Sequence, residues 1–448
     1  MMSSAPNTPS ASEEQNNIAP DSKQALKSRR LLTDFLAPLR VRDFRLLFGG
    51  QMISTLGDLF YAIALPWLML SSGRTPQELG IVLAAYGVPR VGALLLGGIL
   101  SDHLRPRRVM LLSDIARALL VGILVGLVIS DHTEVWQLCA IAIPLGAFTG
   151  LFLPAYYAML PEVLNDDELQ AGNALNSASI QFALLVGSGA AGIVVSRLQS
   201  GFAFTVDALT FVVSAATLFL MHGGQNAAPT LTSNNAIQES TTSKETQEES
   251  AYFPPNITFG QLLRTWRLLQ VALLVVIFGN FLFNGLIEVA LPTLARNQFA
   301  AGASGYGLLM AAFGGGSLLG GLIAGLMGRV RHRGKLMLAL IMALACWYTF
   351  IPFVGLIGAT LLMGIAGVTN GILTVLAFTL LQQQAPRPLL GRLMGVLMVA
   401  TLGLYPFSVA LAGVISTHLG PAILFPISGT MMLAAALFGW LQREIRKL

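Results

Sequence analysis

Apolar runs of membrane-crossing length recur along this chain with little between them. A bilayer's hydrocarbon core is about 30 Å thick, so a helical crossing needs about 20 mostly apolar residues. Such runs fall at 44–70, 79–100, 109–129, 136–158, 174–197 and 201–221, and again at 268–294, 305–328, 335–353, 355–381, 392–417 and 421–441. Twelve crossings leave few alternatives. Backbone polar groups inside lipid must be satisfied within the segment, which makes each run a helix. The expected fold is therefore an all-α membrane protein of twelve transmembrane helices in two six-helix pseudo-repeats. Composition agrees, since only 11% of the 448 residues are charged and 54% are hydrophobic. An ordinary soluble domain carries about 25% charged residues.

The ends and middle differ in composition. Residues 1–37 read as a disordered cytoplasmic tail without the apolar core of a signal peptide. Residues 38–222 form the first six-helix half. Residues 223–256 (GGQNAAPTLTSNNAIQESTTSKETQEES and its flank) are poor in large apolar side chains and read as a flexible cytoplasmic linker. Residues 257–448 form the second half, opening with a short interfacial helix at 257–267.

Charge sets the orientation. With the N-terminus inside, 22 Lys and Arg fall on inner segments and 3 (Arg74, Arg197, Arg296) on outer ones. That asymmetry predicts both termini in the cytoplasm of a multi-pass protein in the cell membrane. The pI near 9.4 thus reflects topology, and no nucleic-acid partner is expected. Cys139 and Cys346 lie inside apolar runs and read as small buried hydrophobes. His103, His132, His222, His332 and His418 show no metal-ligand spacing.

The halves echo each other. Leu65-Pro66 closes the first run and Leu291-Pro292 the seventh, with Asp58 and Asn284 eight residues before each proline. AGIVVS (191–196) and AGVIST (412–417) sit in the fifth and eleventh runs. Parallel repeats of six spans are a transporter architecture.

Ionisable groups within the spans cost roughly 2.5–3.5 kcal/mol each on insertion scales, so they mark function or a pair. Gln51, Thr55 and Asp58 share one face of the first span. Arg90 stands midway along the antiparallel second span, so an Asp58–Arg90 pair is expected, as a proton or substrate site or as a structural tie. Asn280, Asn284 and Glu288 form a stripe in the seventh span. No Lys or Arg of the second half lies at comparable depth, so Glu288 reads as a lone carboxyl suited to carrying a proton or binding a cationic substrate, or else as a wetted, inert group near the outer mouth. Asp114 and Arg117, one turn apart, read first as a local pair. Asp207 reads as structural. Glu162, Asp166, Asp167 and Glu168 read as a solvated face. Tyr61, Tyr156, Phe283, Met310 and Tyr405 are candidates for an adaptable pocket or for packing. The glycines of 314–321 lack the strand and Lys-Ser/Thr of a phosphate loop and read as helix-packing residues.

Several segments resemble one family. LRVRDFRLLFGGQMISTLGD (39–58), PAYYAMLPEVLNDDELQAGNALNSAS (154–179) and GASGYGLLMAAFGGGSLLGG (302–321) are similar to the drug:proton antiporter branch of the major facilitator superfamily, including macrolide and siderophore (enterobactin) exporters. The resemblance runs from about Pro38 to the C-terminus, apart from the linker. The loop between spans two and three carries the family's gating motif as Gly98-Ile-Leu-Ser-Asp102-His103-Leu-Arg105-Pro-Arg107-Arg108, with histidine where arginine is usual. Its second-half counterpart (Gly321 to Lys335) lacks the acid, and the fifth-span motif (Gly187 to Gly192) lacks its proline. The resemblance implies that Asp102 caps a helix start near Gly391-Arg392, with Arg107 or Arg108 and Asp114 as partners and Arg117 in the same neighbourhood. It implies a monomeric secondary transporter that exports a small, partly apolar molecule in exchange for protons, without a cofactor beyond the proton gradient. The similarity of loop 4–5 to lysophospholipid transporters makes lipid transport the alternative. A polytopic enzyme would need a catalytic set at one membrane face, which the sequence does not offer. A sensor would need a soluble signalling domain.

Overall fold

The computed structural model describes residues 36–103, 105–131, 133–222, 267–299, 301–327, 332–384 and 399–442. The expected N-terminal tail, the linker and nearly all of the interfacial helix lie outside the described residues. All regular structure among the described residues is helical. The helices are α1 (Arg42–Ser71), α2 (Pro76–His103), α3 (Pro106–Ile129) and α4 (Val135–Val163), then α5 (166–198) and α6 (200–220). After the linker come α7 (267–297), α8 (Gly302–Leu326), α9 (Arg333–Phe350), α10 (Leu356–Gln384), α11 (Val399–His418) and α12 (Leu424–Leu441).

Helices α5 and α6 run on without a loop, but Gln199 breaks them with φ 67° and ψ 169°. An unbroken helix of that length would reach about 80 Å at 1.5 Å per residue, far beyond one bilayer. The break makes two crossings. Eleven described helical stretches are long and apolar enough to cross a membrane, and this one counts twice. The twelve expected runs are all present.

The helices are apolar on the outside as well as in the core, and the few buried polar groups face inward, unlike a helix on the surface of a soluble protein. On α3, Leu112, Leu119 and Ile123 are more than half exposed, while Asp114 and Arg117 on the other face are at most 2% exposed. Cys139 is half-buried and Cys346 exposed, so the reading of both as buried does not hold. Exposure of an apolar side chain carries little penalty where the surroundings are hydrocarbon.

The prolines do not end their spans as expected. Pro66 lies inside α1, which continues to Ser71. Pro292 lies inside α7, whose preceding turn, Leu286–Ala290, is a π-helix. Proline cannot donate to the carbonyl four residues earlier, here that of Glu288. The wider turn absorbs that loss and turns Glu288 into the bundle.

The two halves meet most closely at the end of the bundle away from the chain termini. A Cβ at Gly80 of α2 would lie 2.6 Å from the Val409 carbonyl oxygen of α11, and one at Gly413 of α11 would lie 2.7 Å from the Pro76 carbonyl oxygen. Gly192 of α5 and Gly307 of α8 face each other in the same way, the latter 2.5 Å from the Ser188 carbonyl oxygen. The Gln77 amide donates to Thr417 Oγ1 at 2.9 Å across the same seam. Only glycine permits such backbone approach. Among the described glycines, the contacts between halves nearest the termini are Gly87 against Tyr405, and Gly314 and Gly315 against Leu184 and Leu185. The bundle is sealed at its distal end.

Candidate functional site

Two polar centres occupy the middle of the bundle, one in each half. The second-half centre begins at the π-turn of α7. Tyr405, at the start of the regular part of α11, donates its hydroxyl to the Glu288 carboxylate in a short hydrogen bond. Arg90 of α2 lies in electrostatic reach of both Glu288 and Tyr405 and also of Asp58. Its guanidinium sits 5.6 Å from the centre of the Tyr86 ring, one turn back on the same helix. Gly87 gives Tyr405 room to approach α2, since a side chain there would strike its ring.

These contacts correct two expectations. Glu288 is not a lone carboxyl, because its partners come from α11 and from the other half of the molecule. Asp58 and Arg90 are near neighbours but not an ion pair. The ion pairs among the described residues are Arg74 with Glu78 and with Glu134, and Arg117 with Asp114. Arg90 lies over the Tyr86 ring, and Asp58 is within electrostatic reach of both Arg90 and Arg117. Asp58 is exposed, although it stands midway along α1, and therefore opens into the space between the halves.

The stripe on α7 does less than its spacing implied. Asn280 donates to the Val276 carbonyl at 2.9 Å and Asn284 to the Asn280 carbonyl at 3.4 Å, both on their own helix. Gln51 donates to Thr55 Oγ1 at 3.2 Å, again on its own helix.

The first-half centre lies between α1, α3 and α6. Arg117 forms a short ion pair with Asp114, and the other Asp114 oxygen accepts from Ser214 Oγ of α6 at 2.7 Å. The guanidinium lies between the Phe152 and Phe211 rings, 4.4 Å from each centre. The local pair expected for Asp114 and Arg117 is therefore present, but it is built into the core by three side chains from two other helices, α4 and α6. Asp207 of α6 lies beside this group, 1% exposed and in electrostatic reach of Asp58 and Arg117.

The gating residues separate. Gly98 and Asp102 lie in the last turns of α2, in a stretch whose side chains fall outside the described set, as does the helix start at Gly391-Arg392. Arg107 does not pair with Asp114. It donates through Nε to the Leu218 carbonyl and through Nη2 to the Phe219 carbonyl, both at 2.8 Å, and so caps the end of α6. A cation at a helix C-terminus satisfies orphan carbonyls and complements the dipole. Arg108 is exposed. Asp114 is already committed to Arg117 and Ser214, which leaves it no free oxygen for the loop.

Of the aromatic candidates, Tyr156 is core. It is 2% exposed and bonds Asn176 Oδ1 at 3.1 Å. Phe283 packs on Tyr348, with ring centres 5.5 Å apart. Tyr61 stacks at 5.5 Å on Phe204 and faces both Asp207 and Glu288, between the two centres. Glu168 closes a capping box with Asn165 at the start of α5, a role its Asn-x-x-Glu spacing makes legible. A wholly apolar groove of about 320 Å³ between α7 and α12, lined by Leu274, Phe278 and Phe438 among others, lies apart from both centres.

The chain is similar to known transporters over most of its length. It is 25% identical over 408 residues to the uncharacterized MFS-type transporter YfiS of Bacillus subtilis (strain 168), covering 89% of this chain and 93% of that one. It is 25% identical over 381 residues to the multidrug efflux pump Tap of Mycolicibacterium fortuitum, covering 84% and 89%. Its fold matches a D-xylose-proton symporter at a TM-score of 0.66 and 14% identity, over 92% of this chain and 99% of that one. It also matches a bacterial homologue of the iron transporter ferroportin in an inward-facing state, at 0.62 and 13%, over 89% and 98%. The Major Facilitator Superfamily model matches residues 47–404. The chain, a multi-pass membrane protein with two polar centres between its helices, belongs to the Major Facilitator Superfamily of transporters.

Proposed function

We propose that this transporter exports a small, partly apolar molecule in exchange for protons, working by alternating access with both termini in the cytoplasm. The observation that carries the reading is the Glu288–Tyr405 contact facing Arg90 across the boundary between the halves. Rocking of the halves would change the distance between Arg90 and Glu288. A carboxylate that loses its cation is stabilised by taking a proton, so proton binding and rocking become linked. Asp58, exposed between the halves, offers a second acid on the path. The glycine seam at the distal end supports a form closed outside and reached from the cytoplasm. The 25% identity to a multidrug efflux pump supports export.

Inverted membrane vesicles with ethidium as probe test the proposal. An imposed proton gradient should drive ethidium uptake and cause proton release from the lumen. An uncoupler should stop both. Uptake that ignores the uncoupler, or coupling that survives both Asp58→Asn and Glu288→Gln, would overturn it.

A further inference from the structure

We infer that Asp207, with Ser54 and Asp58, forms a second cation-binding site in the first half, one that takes a proton or a sodium ion in its place. The site is separate from the Glu288–Tyr405–Arg90 group. The inference rests on the transport reading for its purpose but not for its existence.

The argument starts from the face that α1 turns to α6. Gly50 packs against Ser214 and Thr217, and Gly57 against Thr210 and Asp207. The two helices run antiparallel, so Ser54, one turn from each glycine, stands at the level between them. A Cβ at Gly57 would lie 2.8 Å from Asp207 Oδ1, which places that oxygen directly against α1.

On this face Asp207 Oδ1 and Ser54 Oγ have no hydrogen-bond partner, and neither do Gln51 Oε1 of α1 and Arg117 Nε of α3. Asp207 and Ser54 are each 1% exposed. Other buried orphans, such as Ser188, Tyr348 and Ser428, are scattered over α5, α9 and α12, and among the described residues Asp207 is the one carboxylate left so. A buried acceptor without a donor carries an uncompensated desolvation cost, larger when it is charged. The two on the seam between α1 and α6, Asp207 Oδ1 and Ser54 Oγ, are oxygens that a bound proton or cation would satisfy.

Charge counting says the same. Three carboxylates face this seam or its mouth: Asp58 from α1, Asp114 from α3 and Asp207 from α6. Arg117 of α3 is the one cation inside it, and it is bonded to Asp114. Arg90 of α2 lies at the mouth, shared with Glu288 of α7. Tyr61 of α1 is the remaining titratable neighbour. Three carboxylates against Arg117 leave an excess of negative charge that the shared Arg90 offsets only in part, and a bound cation would reduce it. Asp58 opens to the space between the halves and neighbours Asp207, so it provides the way in.

Infrared difference spectroscopy tests this without any transported substrate. The full chain in lipid is moved from alkaline to acid pH, in choline or in sodium buffer, and the C=O stretch of protonated carboxyls is recorded. Loss of one such band in Asp207→Asn, and a shifted band in Ser54→Ala and Asp58→Asn, is the expected result. A band that sodium suppresses shows that sodium competes; a band indifferent to sodium shows a proton site alone. Ser54→Ala keeps the test open if Asp207→Asn does not fold. Spectra of Asp207→Asn and Ser54→Ala that match the unmodified protein in both salts would overturn the site. Failure of ethidium transport with the band intact would instead overturn the exporter reading and leave the site standing.

Discussion

The polar centres of the two halves solve opposite problems. The first-half centre draws its partners from its own half. Arg117 has an ion pair, two aromatic faces and a carboxylate fixed by Ser214, all on helices of the same half. The second-half centre borrows its cation. Glu288 sits on a π-turn, is bonded by Tyr405, and faces Arg90 from the other half. In the proposed cycle the first would hold a half together and the second would register how the halves stand relative to each other. A charge fixed within a rigid unit stabilises that unit. A charge balanced across a boundary that rocks would change with the motion.

The largest effect expected from breaking that contrast is Arg117→Met. It leaves Asp114, Asp58 and Asp207 without their nearest cation, and breaking a buried pair costs about 3–5 kcal/mol. Thermal unfolding in detergent should fall sharply, and Arg117→Lys should not restore it, because an ammonium cannot fill the gap between two rings as a planar guanidinium does. A stability loss confined to a few tenths of a kcal/mol would erase the distinction between the centres.

Glu288→Gln comes next and should act on function rather than folding. Proton-driven ethidium uptake should drop at least tenfold while the unfolding temperature stays near that of the parent. Tyr405→Phe removes a hydrogen bond to a charged group, worth roughly 1.5–3 kcal/mol. It should weaken coupling by about tenfold and move the pH dependence of transport, which simple packing would not do. The smallest effect is expected for Asn284→Ala. Its side chain bonds only its own helix, so transport should change less than about twofold, within roughly 0.5 kcal/mol. An effect as large as that of Glu288→Gln would return the stripe to the centre of the site.

The distal seam offers an independent check on the motion. Gly192→Val would place methyls against α8 backbone and hold the halves apart there. A cysteine introduced nearby should then react faster with a membrane-impermeant maleimide from outside. Unchanged labelling would mean the seam is not a moving closure.

Much of the architecture was legible because membrane folding is written in composition. Apolar length fixed the twelve crossings, and even the loop-free junction of α5 and α6 divides where the runs at 174–197 and 201–221 divide. The local pair of Asp114 and Arg117 followed from spacing, since i, i+3 neighbours on a helix must meet. The motif residues Arg107 and Asp114 were legible as polar groups at a helix end, but their partners were not.

Tertiary structure alone decided which charges meet. Helix periodicity places a residue on a face and at a depth, and says nothing of the rotation of the helix opposite. So Glu288 and Tyr405, 117 residues apart, could not be joined from sequence, and Asp58 with Arg90 were joined wrongly. Asp207 shows the limit best. Its position in an apolar run marked it as costly, while its orphaned oxygen and its place against Gly57 exist only once α1 and α6 pack. The sequence by itself determined that this chain crosses the membrane twelve times and carries acids between its helices. Only packing decided which of those acids are neutralised within one half and which depend on the other, because that choice is made by side chains brought together from separate helices.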